Sequence, residues 1–401
     1  MDDPYDVVII GGGMVGATLA VALARGGLRV AVVEARAPRP FDPAQDYDLR
    51  VSALSPASRH VLEHLDAWPA IEAMRASPYG QMYVWDAAGQ GSIHFDAADW
   101  GLPCLGHIVE NRIIQLALLE QIEQLETVDW LCPARLEGLA MADDRVRLGL
   151  ESGEMLTAGL VVGADGPRSR VREQAGIALR ARGYAQKAIV ATVATELDHR
   201  ETAWQCFLPT GPLAFLPLGD GRSSIVWSTH TWHGDALMAL DDEAFGEQLG
   251  AAFGERLGQV RVSGPRAAFD LQGGQAEPYV RRRVALIGDA AHTIHPLAGQ
   301  GANLGFMDAA ALAEVLLDSR RDLGAMSVLR RYERARRGDN VVMMRAMEAF
   351  KALFASPFAP LRWARGVGLR LTDRSPLKGA FMAQALGLAG ERPALARPPV
   401  G

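Results

Sequence analysis

The chain opens with an apolar tetrapeptide, Val7-Val8-Ile9-Ile10, that runs straight into Gly11-Gly12-Gly13-Met14-Val15-Gly16. Four consecutive branched residues read as a short buried strand. The small-residue stretch 17–24 continues as a helix, and residues 29–33 form a second strand that ends at Glu34. Strand, G-x-G-x-x-G, helix, strand and acid are the parts of a dinucleotide-binding βαβ unit, in the required order. Gly11 makes the tight turn out of the strand. Gly13 lets a pyrophosphate come close to the backbone, and Gly16 lets helix and strand pack without a Cβ between them. Alone, the glycine pattern is a weak signal that ordinary loops satisfy. With strand, helix and acid in place, the ordinary-loop reading loses its footing. Glu34 lies about 20 residues on, where an acid accepts hydrogen bonds from an adenosine ribose. An acid there, in place of an arginine, suits NAD or FAD over NADP.

Residues 7–24 are almost entirely apolar or glycine, long enough to resemble a signal peptide or a membrane span. Asp2, Asp3 and Asp6 precede them, where a signal peptide carries Lys or Arg. Gly11-Gly12-Gly13 would also weaken a spanning helix. Both readings are rejected. With 401 residues, two or three domains are expected. The formal net charge of -6 gives no overall attraction to nucleic acid. The three cysteines, Cys104, Cys132 and Cys206, are odd in number and far apart. That fits a reducing cytoplasm and argues against a disulfide framework, a redox pair or a structural metal site.

A second glycine-rich turn lies far downstream. The apolar run 284–287 leads into Gly288-Asp289-Ala290-Ala291-His292. Then follow His295-Pro296-Leu297-Ala298-Gly299-Gln300-Gly301-Ala302-Asn303-Leu304-Gly305 and, after two residues, Asp308. Leu304, Met307, Ala311, Leu312, Val315 and Leu316 then fall on one helical face. Between strand and helix stand one carboxylate, three close glycines and almost no bulk, so backbone can approach a flat ligand. The free N–H groups and positive dipole end of that helix would stabilise an anionic ring. The bland alternative is a Gly-rich loop that only caps a helix.

Three more residues are candidates for the same ligand. Arg50, in Asp48-Leu49-Arg50-Val51-Ser52-Ala53-Leu54-Ser55, offers a fork of donors to a phosphate or a ring edge, or is a plain surface arginine. Arg112 opens a helix whose face carries Ile114, Leu118, Ile122 and Leu125. Asp165, in Gly163-Ala164-Asp165-Gly166, follows an apolar strand and precedes a helix beginning near Ser169. Residues 79–96 read as a hairpin. Residues 188–194 and 204–227 read as a separate sheet, with Gly211-Pro212 as a turn and Phe207, Phe215 and Trp227 among its apolar positions. That sheet is either the wall of an apolar pocket or plain core. From residue 329 the chain is helical and basic, with Arg330, Arg331, Arg334, Arg336 and Arg337, then Arg345, Arg362, Arg365, Arg370 and Arg374. This is either one more amphipathic helix packed on the body or a surface for anionic lipid or a partner. The proline-rich tail 391–401 is expected to fray.

Taken together, these motifs resemble the single-component FAD-dependent aromatic hydroxylases. Within that group, the run 295–308, Arg50-Val51-Ser52-Ala53-Leu54-Ser55 and Glu110-Asn111 look like the ubiquinone-biosynthesis monooxygenases. Trp204-Gln205, Phe207, Gly211-Pro212 and Ala214-Phe215-Leu216-Pro217-Leu218 are similar to the subgroup that hydroxylates 2-polyprenyl-3-methyl-6-methoxy-1,4-benzoquinol. The resemblance implies an α/β fold. Residues 1–75, 104–178 and 265–335 would form a discontinuous Rossmann-like FAD-binding domain of the aromatic-hydroxylase type. A β-sheet substrate domain, 76–103 and 179–264, would interleave with it, followed by a C-terminal helical region 336–390 and the flexible tail.

The resemblance also implies roles. Gly11, Gly13 and Gly16 would bind the FAD pyrophosphate and Glu34 the ribose. Arg50 and Arg112 would lie along the cofactor, Asp165 would support the nicotinamide and FAD region, and Asp289 would hold the ribityl chain. Pro296, Gly299, Gln300, Gly301 and Ala302 would face the isoalloxazine ring, with Pro296, Gly301 and Ala302 nearest the chemistry. There is no second G-x-G-x-x-G, so NAD(P)H would serve as a transient electron donor. Reduced FAD would react with O₂ to give a C4a-hydroperoxyflavin that hydroxylates a polyprenylated quinol, the protein orienting the partners and excluding water. His292 and His295 are candidates for tuning the flavin or touching substrate, with a structural role the preferred reading for each. Other ubiquinone-biosynthesis proteins, or a membrane surface, would meet the basic C-terminal helices. The alternatives are another flavoenzyme of the same fold, or a flavin-bearing docking subunit.

Overall fold

β1 (Tyr5–Ile10) lies in the middle of a parallel sheet in the computed structural model, which describes residues 4–89, 91–293, 300–319, 321–355, 375 and 377–399. β2 (Val30–Val33) flanks it on one side and Met155–Gly163 on the other; Val128–Leu131 and Val284–Leu286 come next outward. All five run parallel, with Ile9 opposite both Val162 and Val32. Strands covered on both faces need continuous apolar runs, and Val7, Val8, Ile9, Val30, Ala31 and Val32 are fully buried. α1 (Met14–Arg25) packs against Asn111–Ile122 and Gln300–Leu317. Its small buried Ala17 and Ala20 suit that close approach.

The second sheet has eight strands in the order Ser92–Asp96, Gln81–Asp86, Thr202–Leu208, Gly211–Pro217, Ser223–His230, Ala178–Thr195, Val260–Glu277, His292–Thr293. Its pairs are antiparallel except for Thr202–Leu208 beside Gln81–Asp86. Residues 81–96 form the expected hairpin. Gly211-Pro212 does not form the expected turn. Leu208 pairs with Gly211, so Pro209 and Thr210 are the turn, while Gly211 and Pro212 already belong to the strand. Gly211 sits at φ +142°, and an added Cβ would meet the Ser228 carbonyl at 2.1 Å.

Alternation assigns the faces of this sheet. Trp85, Cys206, Leu213, Phe215, Ile225 and Trp227 point to the back. There they pack beneath Thr231–Met238 and Asp242–Ala252 through Leu237, Phe245 and Leu249. Gln205, Phe207, Ala214, Val226 and Val190 share the opposite face by register. On that side Leu216 and Leu218 meet Tyr47, Val51, Ala53 and Ile108, and Phe207 meets Phe354, Met382 and Leu386. The chain leaves the parallel sheet at Leu286 and joins the second sheet at His292, so the turn between them lies on the seam.

The long helix Met326–Ala355 crosses this seam. Its arginines are not one basic face. Arg331 pairs with Asp318, Arg337 with Glu277, and Arg336 is buried. Arg330, Arg334 and Arg345 are exposed. Arg362, Arg365, Arg370 and Arg374 lie outside the described residues. The tail corrects the expectation of fraying: Ala394–Ala396 makes a short helical turn with Ala396 fully buried. The rings of His60 and His64 meet the carbonyls of Ala396 and Arg397. No helix among the described residues is long and apolar enough to cross a membrane.

Candidate active site

Four of the motifs leave the parallel sheet at one edge. Gly11 follows β1, Glu34 follows β2, and Asp165 and Asp289 follow the two strands on the other side of β1. The carboxyl edge of such a sheet is where open α/β folds bind ligands, because turns and helix N-termini converge there. Backbone bonds fuse the turns: Gly11 N–H donates to Val33 O at 2.9 Å, Ala164 N–H to Ile10 O at 2.8 Å and Ile287 N–H to Gly163 O at 3.0 Å. The two glycine-rich turns also touch. A Cβ on Gly305 would lie 2.6 Å from a Val15 methyl, and one on Gly288 would lie 3.4 Å from the other.

The fingerprint glycines differ in what surrounds them. Gly11 has φ +103°, and a Cβ there would strike the Ala164 carbonyl at 2.4 Å; on Gly16 it would strike the Gly11 carbonyl at 1.9 Å. Both are packing requirements. A Cβ on Gly13 would meet nothing within 4 Å, so its freedom serves open space at the sheet edge. That is the cradle a pyrophosphate needs at a helix N-terminus. Glu34 faces back to the turn and accepts from the N–H groups of Gly12 at 2.7 Å and Arg36 at 2.9 Å.

Asp165 is half-buried. Its Oδ2 accepts from the backbone of Arg170 and Val171, while its buried Oδ1 has no partner among the described residues. Burial pushes this carboxyl up, against hydrogen bonds from Ser169 and the following backbone. Asp289 reaches solvent on one side but is crowded by protein on the others. Desolvation raises its pKa, opposed by the charges of His292 and Arg50. Arg50 is exposed and near enough to act on Asp289. Arg112 is engaged elsewhere: it grips Asp48 through Nε at 2.7 Å and donates to the Pro40 carbonyl at 2.7 Å, fixing the loop before Arg50. Gly301 and Ala302 lie in the first turn of Gln300–Leu317, half-buried, where N–H groups lack intrahelical acceptors. Pro296, Gly299 and His295 lie outside the described residues, as does the side chain of Gln300.

Three buried side chains hold this edge: Asn303 and Asp308 lie in the run 295–308 without an assigned role, and Arg172 lies outside every motif. Asn303 accepts from Ser55 N–H and Ser58 Oγ and donates to Ala53 O at 2.9 Å, tying the helix start to the segment after Arg50. Arg172 donates to the Ala290 carbonyl at 2.9 Å and the Pro167 carbonyl at 2.8 Å, spanning the two aspartate turns. Asp308 accepts from Gly288 N–H at 3.1 Å, from Arg336 Nε at 2.9 Å and from Asn340 Nδ2 at 3.1 Å, and is paired with His292. Burial pushes the Asp308 carboxyl up, but His292 and Arg336 outweigh it and hold it at about 2. The sequence signal for Asn303 and Asp308 is a polar residue at a helix position whose neighbours are apolar or small; Arg172, in the largely polar stretch 170–174, carries none.

At one end of the second sheet lies a small apolar cleft of about 80 Å³, lined by Tyr184, Phe207, Leu208, Pro212, His230 and Phe354. Phe354 stacks on Phe207 with ring centroids 4.1 Å apart. FAD fits the residues present. There is an open cradle at Gly13, a buried acceptor without a partner at Asp165, a carboxylate at Asp289, and a helix N-terminus to meet negative charge.

Comparison with known proteins agrees. A family model described as an FAD binding domain matches residues 4–346. The 3-demethoxyubiquinol 3-hydroxylase of Escherichia coli (strain K12) is 40% identical over 391 residues, 96% of this chain and all of that one. The ubiquinone hydroxylase UbiL of Rhodospirillum rubrum is 41% identical over 403 residues, 99% of this chain and 93% of that one. Among solved structures, p-nitrophenol 4-monooxygenase PnpA from Pseudomonas putida DLL-E4 superposes with a TM-score of 0.77 at 20% identity, over 98% of this chain and all of that one, which supports the fold. The sheet edge, the cradle and these relatives together place the chain in the family of FAD-dependent ubiquinone-biosynthesis monooxygenases.

Proposed function

We propose that this enzyme hydroxylates 2-polyprenyl-3-methyl-6-methoxy-1,4-benzoquinol at the one ring carbon that carries no substituent, with NAD(P)H as transient donor. The observation that carries this reading is the full-length similarity to a 3-demethoxyubiquinol 3-hydroxylase. The cleft on the second sheet supports it, since a long isoprenoid needs an apolar wall. Bound FAD supplies the activation of O₂. The chain's own residues bind, orient and exclude water. Gly13 admits the pyrophosphate, Glu34 takes the ribose, and Asp289 takes the ribityl hydroxyls. Arg50, Arg112 and Asp165 line the rest of the cofactor's course, Arg112 through the Asp48 loop it fixes.

The free N–H groups of Gly301 and Ala302 stabilise negative charge on the reduced ring, as a helix N-terminus does for any anion in a dry site. Gln300, Gly299 and Pro296 complete that wall. Phe207 and Phe354 grip the apolar part of the substrate. The electron-rich quinol ring needs no nucleophile from the protein, and none is assigned. Exposed Arg330, Arg334 and Arg345, beside exposed Val342, give the long helix a surface for peripheral contact with an anionic membrane, from which a polyprenylated substrate would enter.

The test is turnover of the purified holoenzyme with this quinol, O₂ and NADH or NADPH, with products read by mass. One added oxygen on that carbon supports the reading. Turnover of a different ring with this one refused would refute it. Phe354→Ala should raise KM for the prenylated quinol by about three- to tenfold, the worth of one aromatic stack. A tail-less quinol should show no such rise; an equal rise for both would remove the tail from this cleft.

A further inference from the structure

The turn Gly288–Ala291 delivers Asp289 to the cofactor edge; Ala291 N–H closes it on Gly288 O at 2.9 Å, and the rest of its support comes from outside. Arg172 and Ala276 N–H hold its Ala290 and Ala291 carbonyls on one side, and one buried carboxylate holds Gly288 on the other. Asp308 is 0% exposed and all its acceptor directions are used. Oδ2 takes Gly288 N–H and the Nε2 of His292; Oδ1 takes Arg336 Nε and Asn340 Nδ2. These partners flank the turn on both sides in sequence, at Gly288 before Asp289 and at His292 after it. The other two come from the long helix, where Arg336 also donates to Asn340 Oδ1 at 3.0 Å. Two further bonds tie this helix to the same strands: Tyr332 OH donates to Leu286 O at 2.8 Å and Tyr279 N–H to Glu333 at 2.8 Å. His292, Arg336 and Asn340 are 1%, 6% and 0% exposed, so no water competes for these bonds. His292 Nδ1 is buried and has no partner among the described residues, so within that set the ring is oriented by its bond to Asp308 and by the Tyr279 ring, whose centroid lies 5.9 Å away.

We infer that Asp308 is a positioning residue for the flavin site, acting through Gly288 and His292. Arg336 and Asn340 make the long helix part of that site, although none of the three reaches the cofactor. A buried carboxylate with four donors has one low-energy arrangement, so it fixes the direction in which Asp289 and the following segment leave the turn. Removing its charge leaves Gly288 N–H, His292 and Arg336 competing for a weaker acceptor, and the turn relaxes. The inference rests on placing the flavin at this edge.

The experiment compares Asp308→Asn and Asn340→Leu with Asp289→Ala in the full chain. It reads far-UV circular dichroism, the FAD dissociation constant by flavin fluorescence, and the visible spectrum and midpoint potential of flavin bound at saturation. Asp308→Asn should keep its secondary structure, bind FAD on the order of ten- to a hundredfold more weakly, and shift the spectrum and potential of what it binds. Asn340→Leu should do the same to a smaller degree and carries the test if Asp308→Asn fails to fold. A residue that only stabilised the fold would leave the bound flavin's spectrum and potential unmoved, and that result overturns the inference. So does unchanged FAD affinity in the folded variants while Asp289→Ala weakens it. Unchanged affinity in Asp289→Ala as well would refute the placement of the flavin on which the inference stands.

Discussion

The two glycine-rich turns serve one edge but are built by different means. The hydrogen bonds and packing of the turn at Gly11 come largely from the βαβ unit itself: Gly11 bonds to Val33, Gly12 to Glu34, and Gly16 packs on the Gly11 carbonyl, with Gln115 and Ala164 the remote contacts. The turn at Gly288 is held from afar by Asp308, Arg336 and Asn340 on one side and by Arg172 on the other. A locally closed turn must have glycine wherever a side chain would strike backbone. A remotely held turn can take its shape from a buried polar cluster and keep its own sequence for the ligand. The first should break by sterics, and the second by loss of charge.

The largest expected effect is steric. Gly16→Ala puts a methyl 1.9 Å from a backbone carbonyl that has no room to give. The variant should lose about 3 kcal/mol of stability, measured by urea unfolding, and should purify without yellow colour. Gly13→Ala sharpens the contrast within one turn, because its methyl would meet nothing. Stability should stay within about 0.5 kcal/mol while FAD affinity falls. Undiminished FAD binding by Gly13→Ala would mean that the open space at the sheet edge is not the pyrophosphate's.

The next effect belongs to the other turn. Asp289→Ala should leave the fold intact and lose bound FAD on the order of ten- to a hundredfold in affinity, as for a charge-assisted hydrogen bond. A fully flavinated variant would remove Asp289 from the cofactor's partners and leave the turn at Gly288 without a ligand role.

How far the sequence alone reaches follows the same division. The βαβ unit could be read in full because Gly11, Gly13, Gly16 and Glu34 carry its geometry within one short segment. Asp165 and Asp289 are visible as carboxylates at strand ends, but spacing alone does not separate a ligand role from a capping turn, and their roles come only from the family resemblance. Arg112 was visible as a cation at a helix start, but its engagement by Asp48, 64 residues earlier, was not. Asn303, Arg172 and Asp308 pair with residues 245, 118 and 28 positions away, and no local period records such pairings. The misplaced turn at Gly211-Pro212 has a similar cause. Both residues are turn formers by propensity, but register with Leu208 makes them the start of a strand. The tail looked unstructured by composition, and only the core reveals the place that Ala396 fills.

The smallest effect separates the turns' two aspartates by the sign of their pH dependence. Asp308 has a folded pKa depressed to about 2 by His292 and Arg336 against the cost of burial. Its contribution is therefore complete above the unfolded value of about 3.9 and is lost as pH falls through about 2. Asp289 is shifted the other way, its pKa raised by desolvation. Its contribution is complete below the unfolded value and is lost as pH rises through the folded one. Urea midpoints of the flavin-free chain measured from pH 2 to pH 6 should show both. The gap between wild type and Asp308→Asn should narrow as pH falls below 4. Asp289→Asn, which cannot ionise, should gain on wild type as pH rises from 4. Parallel curves for wild type and Asp289→Asn would mean that this carboxyl is as well solvated in the folded turn as in the unfolded chain. The turn at Gly288 would then hold its ligand-facing acid in water, and the contrast with the carboxylate buried behind it would rest on Asp308 alone.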